Sequence, residues 1–193
     1  MLAGGMGASL ARPSDDGFSR TMSGSSSMST VFGAGETAGA ARTQLALSLG
    51  TYAAGRLSGN SRIAVLGADL LEAQIVTQTM TLAIKTSVGR TRPDGTQYSF
   101  PSGHASVTFA TATVLQRDLG WKFGIPAYGL ATYVAASRVQ DRRHFLSDVA
   151  FGAALGIVGG RSVTVGHGKG KFAVAPTPTL GGGAVSFTWT GQQ

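Results

Sequence analysis

The sequence predicts an all-α bundle that ends in a short β-hairpin-like tail, and three observations carry that prediction. Five stretches between residues 35 and 159 run at helical length, are rich in Ala, Leu and Val, and are separated by Gly, Ser, Asn or Pro breaks. After residue 165 the pattern turns to alternation: Phe172 and Val174, then Val185, Phe187 and Trp189, on either side of Gly181-Gly182-Gly183. The chain has 193 residues, enough for one domain with a real core.

Taken in order, residues 1–34 are rich in Gly and Ser, with the cluster Ser23-Gly24-Ser25-Ser26-Ser27, and read as a flexible or loosely docked segment. Residues 35–165 form the predicted helical core and 166–193 an extended tail. The first helix spans about 35–57, carries Leu45, Leu47, Leu49 and Tyr52, and stops at Ser58-Gly59-Asn60. The second spans about 61–88, where Leu66, Leu70, Ala73, Val76 and Met80 recur at three- and four-residue spacing. A loop with Pro93 and Gly95 leads to Pro101-Ser102-Gly103, the entrance of a third helix ending near Leu119-Gly120. The fourth covers about 121–139 with a bend expected near Pro126, and the fifth about 146–159, after a charged loop from Asp141 to Phe145. Gly166 to Gly170, which contains His167, follows no strand and does not read as a phosphate loop.

Composition narrows the chemistry. The chain has no Cys, so disulfides, thiolate catalysis and thiolate metal sites are excluded. Sixteen Lys and Arg against nine Asp and Glu give a net charge of +7, which favours phosphate esters, acidic lipid headgroups or nucleic acid as partners. A plain solvated basic surface explains the same number. Outside stretches dominated by Gly, Ser, Thr and Pro, the longest uncharged run is Phe123 to Ser137. It falls short of the ~20 residues of a membrane span and suits the buried helix of a soluble bundle. Met1 to Leu10 lacks the basic flank of a secretory signal.

Three polar clusters stand at predicted helix ends or in the loops between helices, where a rigid bundle would carry a site. Lys85 lies near the end of the second helix, with Arg92-Pro93 in the loop beyond. A basic residue there complements the helix dipole, but an Arg guanidinium can also grip two oxygens in its plane. Pro101-Ser102-Gly103-His104 places small residues at a helix N-terminus, where free amides would cradle an oxyanion and His104 could donate a proton. Ordinary N-capping by Ser102 explains the same residues. Ser137-Arg138, His144 and Asp148 make the third cluster. If the fifth helix starts at or before His144, that residue shares a face with Asp148, which would orient the imidazole. A His–Asp pair bracing a helix start is the simpler alternative.

Taken together, in this order and at these spacings, the clusters resemble the three-part signature of the type 2 phosphatidic acid phosphatase superfamily. That family includes bacterial non-specific acid phosphatases and vanadium-dependent haloperoxidases. The resemblance spans Lys85 to Asp148 and implies the family's helical bundle. It implies that Lys85, Arg92 and Arg138, with the amides of Ser102 and Gly103, bind the phosphoryl oxygens. His144 would attack phosphorus, oriented by Asp148, and His104 would protonate the leaving alcohol and then activate water. Three fixed cations would stand in for a metal ion, so no metal or other cofactor is expected, and vanadate would act as an inhibitor. The implied substrate is a lipid or small soluble phosphate monoester, with association at a membrane surface in the cell envelope or periplasm and no nucleic acid partner. Two alternatives stay open: a haloperoxidase with vanadate as cofactor, and a non-catalytic basic protein that binds anions or lipid.

Overall fold

The computed structural model describes residues 17, 32–163, 170–179 and 182–191, the last two stretches as backbone. Helix α1 (Ala34–Gly39) is followed by α2 (Ala41–Leu57), α3 (Ser61–Val88), α4 (Gly103–Leu119), α5 (Trp121–Gln140) and α6 (Leu146–Ser162). Strands β1 (Gly170–Thr179) and β2 (Gly182–Gly191) then pair antiparallel, with Phe172 opposite Trp189 and Val174 opposite Phe187. The expected N-terminal segment falls almost wholly outside the described residues, as does the stretch around His167.

Local chemistry sets the boundaries. The Asn60 side chain accepts from the amides of Arg62 and Ile63 and opens α3. Gly89 closes it in the left-handed conformation at φ 61°, which Gly adopts without steric cost. Ser102 caps α4, and Gly120, at φ 81°, joins α4 to α5. Helix α5 runs through Pro126 as one element. The single helix expected over 35–57 is divided, because Ala40 is extended (φ −65°, ψ 135°) between α1 and α2. The Gln44 side chain donates to the Ala38 carbonyl at 2.7 Å across this break. The Ala-rich sequence carries only Gly39 as a weak breaker there. What divides it is tertiary contact, since Gly39 lies against the side chains of Val134 and His104.

Helix α4 is the centre of the bundle, packed on α5, α6 and α3. Its contact with α6 runs along Gly152, Gly156 and Gly160, one residue every four, which bring that helix against the α4 backbone. A Cβ on Gly156 would stand 2.2 Å from the Ser106 carbonyl oxygen, and one on Gly160 2.7 Å from that of Ala110. The apolar interior is built from small residues. Leu70, Ala73, Ala110, Val114 and Val163 form one cluster and Ala105, Ala135, Val139 and Val149 another.

Polar side chains share that interior. Gln74 donates to Thr111 and to the Val107 carbonyl, and Thr81 bonds Ser106. At the end of the bundle away from Lys85, Arg117 bridges buried Asp69 (2.8 Å) to the carbonyls of Gly160 and Val163. Large apolar residues are meanwhile exposed, including Leu45, Leu47, Ile75, Trp121, Phe123 and Ile125. The uncharged run Phe123–Ser137 is therefore not the buried helix of the sequence reading, whereas the corresponding stretch of α4 is buried. The close helix contacts favour small side chains inward, with Leu70, Phe100 and Leu155 among the few bulky ones buried, and many other bulky ones turn outward. Among the described residues no helix is long and apolar enough to cross a membrane.

The close contact of α4 and α6 is testable by a single methyl group. Gly156→Ala should lower stability by about 1–3 kcal/mol through overpacking. Gly50, in α2, has nothing within 4 Å of its would-be Cβ. Gly50→Ala should therefore stabilise by about 0.5–1 kcal/mol through helix propensity. Chemical denaturation of the two variants should move in opposite directions.

Candidate active site

Four helix ends meet at one end of the bundle: the C-termini of α3 and α5 and the N-termini of α4 and α6. They bring Lys85, His104, Arg138 and Asp148 together, with Arg92 from the loop after α3 and His144 from the loop before α6.

Asp148 is fully buried and engaged on both oxygens. Its Oδ1 accepts from Arg90 Nη1 at 2.6 Å, and its Oδ2 accepts from the Ser99 hydroxyl and from the Phe145 amide at 2.9 Å. Burial opposes its ionisation, but the His144 imidazole, Ser99, the Phe145 amide and Arg90 prevail and hold the carboxyl below its ordinary range. The contact with Phe145 is also what starts α6: a carboxylate in the first turn satisfies an amide that has no helical partner. Arg90 in turn lies 4.1 Å from the centroid of the Phe145 ring.

His144 lies two residues before α6, so it and Asp148 do not share a helix face. The ring is oriented instead by Ser99, whose carbonyl oxygen accepts from Nδ1 at 2.6 Å. A carbonyl can only accept, so Nδ1 carries the proton and Nε2 the lone pair. The nearest Asp148 oxygen, 3.8 Å from Nδ1, acts by charge. His144 is buried, and burial is the main reason its proton affinity is lowered; Lys85 and Arg92 lower it further against the pull of Asp148. The ring is thus neutral near pH 7.

The cations differ in how they are held. Lys85 Nζ donates to the carbonyls of Tyr98 at 2.7 Å and Pro101 at 2.9 Å, leaving one of its three N–H groups. Burial, followed by the charge of Arg92, lowers its pKa to about 8. The Arg92 Nε is buried without a hydrogen-bond partner. Arg138, itself buried, bonds Asp141 through Nη2 and Ser137 through Nε, while its Nη1 lies 3.5 Å from Glu36. His104 Nε2 is also buried and unpartnered. Its pKa falls to about 4, first through burial, then through Arg138 and His144, with the Glu36 backbone and charge opposing.

One predicted anion donor is corrected. The Ser102 amide donates to the Asp148 carbonyl at 3.0 Å, and the Ser102 hydroxyl accepts from the Ala105 amide at 3.4 Å. Ser102 is therefore the helix cap that ties α4 to α6, and its amide is spent there instead of facing an oxyanion. Gly103, the first residue of α4, keeps the open approach the sequence suggested: a Cβ there would meet only Thr81 Cγ2, at 3.8 Å. The sequence reading missed Ser99, Arg90 and Glu36. A small polar residue two places before Pro101 is a weak signal for Ser99, and Arg90 was passed over beside Arg92. Among the described residues, no group of three or more His, Asp or Glu is placed to hold a metal ion.

The PAP2 superfamily pattern matches residues 66–170, more than half of the chain, and the chain belongs to that superfamily. It is similar to lipid A 1-phosphatase of Porphyromonas gingivalis, with 42% identity over 85 residues, which make up 42% of this chain and 19% of that protein. It is also similar to decaprenylphosphoryl-5-phosphoribose phosphatase of Mycobacterium tuberculosis, 36% identical over 105 residues, 49% of this chain and 58% of that one. The chain thus spans less than two thirds of the length of either relative. Among solved structures, it resembles the transmembrane PAP2 type phosphatidylglycerolphosphate phosphatase from Bacillus subtilis (TM-score 0.63, 22% identity, covering 79% of this chain and 83% of that one). Aquifex aeolicus LpxE is similar to the same degree (TM-score 0.63, 20% identity, covering 75% and 90%). These two likenesses establish the fold as that of PAP2 phosphatases.

Both site histidines take up protons less readily folded than unfolded, and the sign of the pH dependence follows. Their stabilising effect is complete above the unfolded value of ~6.5 and is lost as pH falls through the folded values, about 4 for His104. The denaturation midpoint should fall between pH 6.5 and pH 4, and His104→Gln should flatten that slope.

Proposed function

We propose that the chain is a phosphatase that hydrolyses phosphate monoesters, lipid phosphates foremost, through a phosphohistidine on His144. The observation that carries the reading is the state of His144: a neutral ring, fixed by the Ser99 carbonyl with its lone pair on Nε2, under the influence of two cations. In the proposed reaction Nε2 attacks phosphorus and the ester P–O bond breaks. His104 gives its proton to the leaving alkoxide. Water then attacks the phosphohistidine, losing its proton to His104, and inorganic phosphate leaves. Lys85, Arg92, Arg138 and the N-terminus of α4 stabilise the phosphoryl charge throughout. Three cations do the electrostatic work of a divalent ion, so turnover should persist in EDTA.

His104 enters the reaction through the substrate. Its pKa is about 4, so it is neutral near pH 7. A phosphate ester keeps its second proton up to about pH 6. A monoanionic ester meeting neutral His104 carries the same protons as a dianion meeting the imidazolium. The profile of kcat/KM should therefore be bell-shaped, centred on the acidic to neutral side, and a rise well into the alkaline range would contradict this division of roles.

The lipid preference and a location at an envelope membrane are supported by the names of the relatives and by the apolar side chains turned outward on α2, α3 and α5. Phosphate release from a lipid phosphate in mixed micelles, measured beside p-nitrophenyl phosphate, tests both parts. His144→Ala should lose about a thousand-fold or more on either substrate; retained turnover would remove it as nucleophile. His104→Ala should harm the lipid ester, with its poor leaving group, far more than the nitrophenyl ester.

A further inference from the structure

We propose that Glu36 is the resident counter-ion of the phosphate site: it holds Arg138 while the site is empty, yields it to the incoming phosphoryl group, and reclaims it as inorganic phosphate leaves. The proposal rests on the phosphatase reading and adds to it a residue that none of the three sequence clusters contains.

The geometry begins with α1, a helix of six residues fixed at two points. A Cβ on Gly35 would overlap Ser137 Oγ at 2.2 Å, and one on Gly39 would meet Val134 Cγ1 at 2.3 Å and His104 Cδ2 at 2.9 Å. The helix is therefore seated directly on α5 and on the His104 ring, and Glu36 projects between these two contacts. Its carboxylate lies 3.5 Å from Arg138 Nη1, and its backbone acts on His104. One short helix thus reaches both the proposed acid and one of the three proposed phosphate-holding cations.

Burial indicates how the contact works. Arg138 is 2% exposed and Glu36 62%, so the pair joins a buried cation to a carboxylate that reaches solvent. Arg138 is otherwise engaged by Asp141 at Nη2 and by Ser137 at Nε. Nη1 is the arm that Glu36 and a phosphoryl oxygen would both seek. With the carboxylate largely in water and 3.5 Å from the guanidinium, the contact is screened and is displaced at little cost. A dianion entering beside the carboxylate is repelled by it as long as both remain, which tells most on the doubly charged product. Product release limits many hydrolases, and a fixed anion at the rim opposes the tight retention that three cations would otherwise give.

Competitive inhibition of p-nitrophenyl phosphate hydrolysis by inorganic phosphate and by orthovanadate tests the proposal with wild type, Glu36→Gln and Glu36→Ala. Both variants should bind the two oxyanions roughly two- to five-fold more tightly. KM should fall with them, and kcat should stay level or drop. A residue that merely props up the site would produce the opposite, weaker oxyanion binding and a higher KM. Unchanged or weakened inhibition in both variants, with an active parent, overturns the gate and leaves the phosphatase intact. A parent that neither hydrolyses esters nor is inhibited by vanadate removes both.

Discussion

One buried carboxylate organises the candidate active site of this protein. Asp148 takes Arg90 and Ser99 from the segment after α3 and the Phe145 amide from the loop before α6, and its own carbonyl takes the amide of Ser102. Two chain segments distant in sequence, 90–102 and 145–148, are tied at one residue. A carboxylate placed there without partners would cost several kcal/mol, so the network forms as a whole or not at all. His144 gains its orientation indirectly, because Asp148 fixes Ser99 through the hydroxyl while the carbonyl of the same residue holds the imidazole. The electrostatics follow from this order. Burial is the main cause that keeps the His144 ring neutral, and Lys85 and Arg92 add to it against the pull of Asp148, whose charge is already engaged by Arg90, Ser99 and the Phe145 amide.

The bundle beneath is shaped by close approach more than by apolar bulk. Gly152, Gly156 and Gly160 let α6 lie against the α4 backbone, which sets how near the ends of these helices stand. Small side chains fill the space that remains, and polar ones such as Gln74 and Thr81 find partners inside it. Packing of this kind draws its energy from dispersion and hydrogen bonds, and it leaves the large apolar residues to face outward. The same residue choice therefore builds the scaffold and creates the apolar exterior.

Much of this could be read from residue order. Helix ends at Ser58-Gly59-Asn60, Gly89 and Gly120 follow from turn chemistry that acts locally, and they fall where expected. Lys85, Arg92, His104, Arg138, His144 and Asp148 stand together because each lies at or near a helix end. What escaped the sequence depends on contacts between distant segments. The break at Ala40 comes from Gly39 meeting His104 and Val134. Ser102 looked like a free amide, but the chain that returns at Asp148 accepts from it. Ser99 acts through its backbone carbonyl as much as its hydroxyl, and a carbonyl leaves no trace in residue identity. The outward turn of Leu45, Trp121 and Ile125 was hidden because an uncharged run reads the same whether it meets core or surface.

Lys85 carries one more consequence. With its ammonium partly dried and its pKa lowered to about 8, the lysine sits near the edge of losing its proton in mildly alkaline surroundings. In the proposed role a doubly charged guest would restore that proton, so anion capture and proton uptake would become a single linked event. Above that edge a captured oxyanion would draw a hydrogen ion from the medium. The heat of the encounter would then carry the signature of whichever buffer supplied it.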